Sequence, residues 1–232
     1  MAKLYIKDFA CFAETELELG GLTILVGKQA SGKSLIARLI YFFSEIPNLS
    51  LRAAEQSLNS LEFRRKIGSL FVDYFPPTAW GRSNFLIIFE YENSKLSIRR
   101  RKLAKSGSLA DSVRVSFSEN FNETYLELKS RFENAPRFQD EDIYYSLYVE
   151  ERLKLGVRRS VQRFVRRLSF KEITFIPAGR SFFTSIGKAL SAFETGGLLD
   201  PITLEFGRKF MALRGQRFYQ MQRLFRGIRV QT

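Results

Sequence analysis

A chain of 232 residues with 45% hydrophobic and 14% aromatic residues, 23 of them Phe, can bury a core. That excludes global disorder and leaves room for one large domain, or one domain with a small appendage. The formal net charge of +13 and pI near 10.0 point to a polyanionic or acidic partner.

The single cysteine, Cys11, rules out an internal disulfide, and the absence of His removes Ser-His-Asp and Cys-His catalysis and argues against a zinc site. The charge is uneven. Residues 151–232 carry 17 Lys/Arg against 5 Asp/Glu, a net of +12, whereas residues 1–150 carry 20 against 19, a net of +1. With no secretory leader pattern and no apolar run near 18 residues, the expected location is the cytoplasm, with no membrane partner.

In chain order, "KLYIKDF" (3–9) and "ETELEL" (14–19) read as two short strands joined by a tight connection. "LTILV" (22–26) is a continuous apolar run, the pattern of a strand buried on both faces. "KSLIARLIYFFSEI" (33–46) has apolar residues at helical spacing. Residues 47–83 are mixed, with a helix expected at about 55–66 and a break at Pro76–Pro77.

Residues 84–101 read as a hairpin turning at Glu92–Lys95, and residues 105–112 as a polar link. "VRVSFS" (113–118) alternates like a strand, and residues 119–133 and 142–155 read as helices. "GVRRSVQRFVRRL" (156–168) is an amphipathic helix whose polar face holds Arg158, Arg159, Arg163, Arg166 and Arg167. A strand is expected at 172–177 before a turn at Arg180, and a last basic helical region at about 203–228. There is no internal repeat.

The stretch Gly27-Lys28-Gln29-Ala30-Ser31-Gly32-Lys33-Ser34 matches G-x-x-x-x-G-K-[ST] at every fixed position. The glycines let successive backbone N–H groups point inward at phosphate oxygens. Lys33 is placed to reach the β- and γ-phosphates of a nucleotide, and the Ser34 hydroxyl to ligate Mg²⁺. A helix starting there adds the positive end of its dipole. The cofactors expected from the motif are ATP and Mg²⁺.

The run "LYIKDFACFAETELELGGLTILVGKQASGKS" resembles the opening of ABC-type, AAA-family ATPases of the SMC, RecF and OLD group: paired strands, then a strand that leads into the phosphate loop. "FIPAGRSFF" (175–183) is similar to a strand and turn in smaller bacterial members, many from anti-phage defence systems. Relatives usually carry Asn and Gly where Gln29 and Ala30 stand. The resemblance implies an α/β P-loop NTPase fold: an ABC-ATPase-like N-terminal lobe with an antiparallel β subdomain over residues 1–140. A helical, basic C-terminal part over 141–232 follows. It also places Arg180 near where the family's Q-loop leaves its strand, leaving a γ-phosphate or Mg²⁺-linked role and a plain surface turn both open.

Hydrolysis in this family uses an acidic pair after a late apolar strand and an LSGG-type signature helix. Neither pattern occurs in the sequence. The nearest lookalike, "FLIIFE" ending at Glu90, continues into a hairpin and is read as a hairpin residue, and Asp140-Glu141-Asp142 as a solvated helix start. The chain is therefore expected to stop before the second half of the ATPase, to hydrolyse ATP hardly at all alone, and to self-associate or bind a chain supplying that half.

The Arg-rich helix at 156–168 has three open readings: a DNA-backbone contact, a dock for an acidic partner or the missing half, or a solvated face. Phe206, Phe210, Phe218, Tyr219 and Phe225 sit at helical spacing and read as core or interface. The leading expectation is an ATP-binding protein that gates association with DNA or an effector protein, in DNA repair or anti-phage defence. The rivals are a basic nucleic-acid or protein interaction module with a structural nucleotide site, and a small phosphoryl-transfer enzyme using Glu90 as its acid.

Overall fold

Period-two alternation near both ends of the first half builds one five-stranded antiparallel sheet. In the computed structural model, residues 2–20, 22–102, 109–134, 175–177 and 200–212 are described. The strands are β1 (Ala2–Phe9), β2 (Phe12–Leu19), β3 (Leu86–Tyr91), β4 (Ser94–Lys102) and β5 (Leu109–Phe117), in the spatial order β2-β1-β3-β4-β5. Every neighbouring pair is antiparallel.

β1 and β2 meet in a two-residue turn at Ala10–Cys11, with Phe9 opposite Phe12. Ala10 takes a φ of 54°, the positive value that such a hairpin asks of its first turn residue. The turn between β3 and β4 falls at Glu92–Asn93, inside the predicted span, and Glu92 has a φ of 51°.

One face of the sheet is apolar: Leu4, Ile6, Ile87, Leu96 and Ile98 are buried. Against it pack α1 (Lys33–Ser44), α3 (Ser60–Tyr74) and α4 (Glu119–Glu133), while α2 (Ile46–Glu55) packs on the other helices, chiefly α4. At one end, Phe9, Phe71, Phe85 and Trp80 are fully buried, with Phe9 and Phe85 ring centroids 4.8 Å apart and Trp80 and Phe85 5.3 Å apart. Each such side chain contributes about 1.5–3 kcal/mol by burial, so this cluster fixes the end of β1 where the turn begins. The Trp80 carbonyl accepts the Ala10 N–H at 3.1 Å. At the other end, Phe43 stacks on Phe89 at 5.0 Å, beside a cavity of about 60 Å³ that Ile46, Tyr125 and Leu128 also line.

Several expectations are corrected. The segment 22–26 is not a buried strand: it lies in no regular element, and Leu22, Ile24 and Val26 are 83%, 73% and 89% exposed. An apolar run becomes a buried strand only when neighbours supply ladder hydrogen bonds, and among the described residues none pairs with it. The predicted helix at 33–46 ends at Ser44, because Pro47 lacks an N–H and starts a second helix instead.

The helix expected at 55–66 begins at Ser60. Asn59 caps it, its Oδ1 accepting from the Leu61 and Glu62 amides at 3.0 Å each, while Glu62 Oε2 accepts from the Asn59 amide at 2.7 Å. This Asn59-x-x-Glu62 capping box, a signal the expected start at 55 overlooked, sets the helix boundary. The polar link at 105–112 is shorter than expected, since β5 starts at Leu109. The helix at 119–133 has the expected limits, capped by Ser118.

The chain divides into compact units Met1–Ile173 and Thr174–Thr232. In the second, residues 175–177 are irregular where a strand was expected. Residues 201–212 form a helix, started by Asp200 Oδ1 accepting from the Thr203 amide at 3.2 Å; Phe206 and Phe210 stack along it at 6.1 Å. The predicted helices at 142–155 and 156–168, the Asp140-Glu141-Asp142 cluster, Arg180 and residues 213–228 of the last helical region lie outside the described residues.

Candidate functional site

The loop Gly27–Ser34 ends at the N-terminus of α1. Gly32 is the N-cap, in the left-handed region at φ 86°, with the Ile36 N–H donating to its carbonyl at 3.0 Å. Two residues earlier, Ala30 is also left-handed at φ 61°. No side chain caps this helix and no acid stands in its first turn. Its leading amides are therefore open to an anion, with the helix dipole behind them.

Lys33 folds back across the loop. Its ammonium donates to the Gly27 carbonyl at 2.7 Å, to the Lys28 carbonyl, and to Ser31 Oγ at 3.2 Å. All three donors of the ammonium are thus satisfied by the loop itself. Ser31 N–H donates to the Lys28 carbonyl at 3.4 Å and tightens the turn. A Cβ on Gly27 would lie 3.1 Å from Ser31 Oγ, so this glycine makes room for the fold of the loop. Lys28, Gln29 and Ala30 are exposed at its tip, and the Ser34 hydroxyl is exposed in the first turn of α1. Among the described residues, neither Lys28 nor Lys33 makes an ion pair.

The loop leans on the β1–β2 turn. A Cβ on Gly32 would lie 2.3 Å from Phe12 Cζ and 2.7 Å from Cys11 Sγ. Gly32 is therefore required twice, by its φ and by the space that Phe12 and Cys11 fill. The turn is held in its own right by the Ala10–Trp80 hydrogen bond, and the next residue, Gly81, is held by Arg100. The Arg100 guanidinium lies over the Trp80 ring at 5.5 Å and donates to the Gly81 and Ala110 carbonyls and to Asp111 Oδ1, each at 3.0 Å. Sequence reasoning found the loop but neither support. A hydrophobic residue just after a tight turn and one Arg among four consecutive cations carry no signal of their own.

The structure brings the eight loop residues together and leaves Glu90 elsewhere. Glu90 is level with Lys3 in the β1–β3 register, at the opposite end of β1 from the turn that touches Gly32. Six residues of strand put about 20 Å between those ends. Glu90 instead pairs with Lys95 at 2.5 Å, as a hairpin residue. This placement removes it as an acid for chemistry at the loop, and with it the small phosphoryl-transfer reading. The apolar cavity is no extension of the loop either, since Phe43 stands ten residues along α1 from Lys33, about 15 Å of helix.

The donor set fits a nucleotide with Mg²⁺. Mg²⁺ keeps several waters and takes one or two protein oxygens together with substrate phosphates, and the exposed Ser34 hydroxyl offers such an oxygen. Among the described residues there is no group of three His, Cys, Asp or Glu that could hold a metal without a phosphate ligand, and no helix is long and apolar enough to cross a membrane. Arg158, Arg159, Arg163, Arg166, Arg167 and Arg180 lie outside the described residues.

Compared with protein-family models, the chain matches the AAA ATPase domain over residues 1–153. No curated protein and no solved structure matches it.

Proposed function

The chain belongs to the AAA ATPase domain family, and from that premise we propose that Gly27–Ser34 is its ATP site and that ATP binding gates association with another macromolecule. The observation that carries this reading is the Lys33 ammonium, folded over the loop at the uncapped start of α1. Phosphate oxygens take the place of the loop oxygens as its acceptors. The open amides of the loop and of α1 hold the remaining phosphate charge. Ser34 would hold Mg²⁺, which would supply neutralisation of the phosphate charge.

Binding, rather than turnover, is what this arrangement supports. Water attack on ATP needs a carboxylate beside the γ-phosphate, and no described carboxylate is bonded to the loop. Exposed Leu22, Ile24 and Val26, directly before the loop, supply an apolar strip that a second chain or a further part of the same assembly would cover. This supports self-association or a partner chain as the event that ATP controls.

The finer reading is a P-loop lobe of the SMC, RecF and OLD kind, acting in DNA repair or anti-phage defence on DNA or an effector protein. The paired strands before the loop and the antiparallel sheet around them support it. The test is ATP binding and turnover by the purified chain, with and without duplex DNA, beside Lys33→Ala. The expected outcome is binding that Lys33→Ala abolishes, with little turnover. Equal ATP affinity in the two proteins would sink the reading.

A further inference from the structure

The sheet has a second face, which no described helix covers. Across it the register places Glu14, Glu16 and Glu18 of β2, Lys3, Tyr5 and Lys7 of β1, Leu86, Ile88 and Glu90 of β3, then Lys95, Ser97 and Arg99 of β4 beside Ser116 and Arg114 of β5. The face is therefore acidic at the β2 edge and basic at the β5 edge.

The two ends are not equally compensated. On the acidic side, Glu18 pairs with Lys3 at 2.7 Å and Glu14 accepts the Tyr5 hydroxyl at 2.7 Å. Further across, Glu90 is neutralised by Lys95. Arg99 and Arg114 have no such partner: both are exposed, and among the described residues neither side chain makes an ion pair or a hydrogen bond. They stand directly opposite each other in the β4–β5 register. Like charges so placed repel and weaken the sheet. Exposed Arg101 and Lys102 continue the cationic run at the end of β4.

We propose that this end of the open sheet face is a docking surface for the phosphodiester backbone of a nucleic acid, with Arg99 and Arg114 as its central contacts. Two guanidiniums anchored about 5 Å apart converge on one multi-oxygen anion, and guanidinium matches phosphate in a bidentate fork. The exposed Ser116 hydroxyl, with half-buried Ser97 opposite it in the register, offers neutral donors of the kind that position a backbone. A second copy of the chain, offering its own β2 acids, fits less well, because Glu14 and Glu18 are already engaged and Glu16 alone of the three is left to meet two guanidiniums. The overall charge of +13 adds long-range attraction for a polyanion. The surface stands on charge and register rather than on the nucleotide loop.

The test is fluorescence anisotropy of a short labelled DNA duplex titrated with the full chain at several salt concentrations. It compares wild type, Arg99→Ser/Arg114→Ser, and Lys129→Ser/Arg131→Ser on α4, which removes the same charge from another surface. The expected result is that Arg99→Ser/Arg114→Ser weakens binding about tenfold or more and lowers the slope of log K against log salt by about 1–2, while the α4 variant stays near wild type. A thermal melt of the Arg99/Arg114 variant at or above the wild-type temperature shows that the loss is not unfolding, as relief of the cross-strand repulsion requires. The proposal fails if wild type does not bind the duplex, if both double variants lose affinity equally, or if an acidic peptide binds the site in preference to DNA. ATP titration of wild type alone reports on the loop, so either reading can fail without the other.

Discussion

Phe12 fills the space that a side chain on Gly32 would need: a Cβ at Gly32 would sit 2.3 Å from Phe12 Cζ. The hairpin turn and the phosphate-type loop are thereby one mechanical unit. Gly32→Ala is expected to destabilise the fold by about 1–3 kcal/mol, through its left-handed φ and the clash together, and to weaken ATP binding. Phe12→Ala in the same chain relieves only the clash. A double-mutant cycle on denaturant midpoints should show coupling between the two sites, and additive effects would mean the contact is idle.

Lys33→Ala removes the one side chain that bridges the loop at Gly27, Lys28 and Ser31. ATP affinity should fall about tenfold or more, as expected for losing charge-assisted bonds to phosphate. The melting temperature should barely move, since the ammonium is at the surface. A fluorescent ATP analogue and a thermal melt on the same sample separate the two.

Arg100 joins β5, the 80–81 turn and the Trp80 ring through one planar group. Lysine cannot make that fork. Arg100→Lys should destabilise by about 1–3 kcal/mol in denaturant unfolding, whereas exchanging its exposed neighbour Arg101 for Lys should be neutral.

The Tyr125 hydroxyl donates to the Leu58 carbonyl at 2.8 Å, and burial, with Glu62 and Glu133 nearby, pushes its pKa up to about 12. The folded state holds this proton more tightly than the unfolded chain, where tyrosine titrates near 10. Its stabilising contribution is therefore complete below about pH 10 and lost as pH rises towards about 12. Tyr125→Phe should destabilise by about 1 kcal/mol at neutral pH and flatten the fall in stability across that alkaline window. Denaturant unfolding at a series of pH values checks both.

Leu22, Ile24 and Val26 are exposed where a buried strand was expected. Replacing all three by Ser should leave the thermal stability of the isolated chain within about 0.5 kcal/mol of wild type at each position and reduce self-association in sedimentation velocity. A large loss of stability would show that the strip is covered within the chain itself.

Local chemistry sufficed for much of this protein. Alternation in 3–9, 14–19 and 84–101 and the helical run at 119–133 each recorded their own structure, because strand pairing through tight turns and the start of a helix are settled by residues close in sequence. The loop, too, was written in eight consecutive residues. What tertiary structure decided was everything set by distant partners. The run 22–26 has strand composition, but burial needs neighbours that composition cannot name. Glu90 was legible as a hairpin residue, but only the register showed that it lies at the far end of β1 from the loop. Phe12 against Gly32, and Arg99 opposite Arg114, join residues about 15–20 positions apart whose meeting depends on turn geometry and strand register. Those relationships arise only when the chain has closed on itself, and they place the supports of the loop and the charge of the open face.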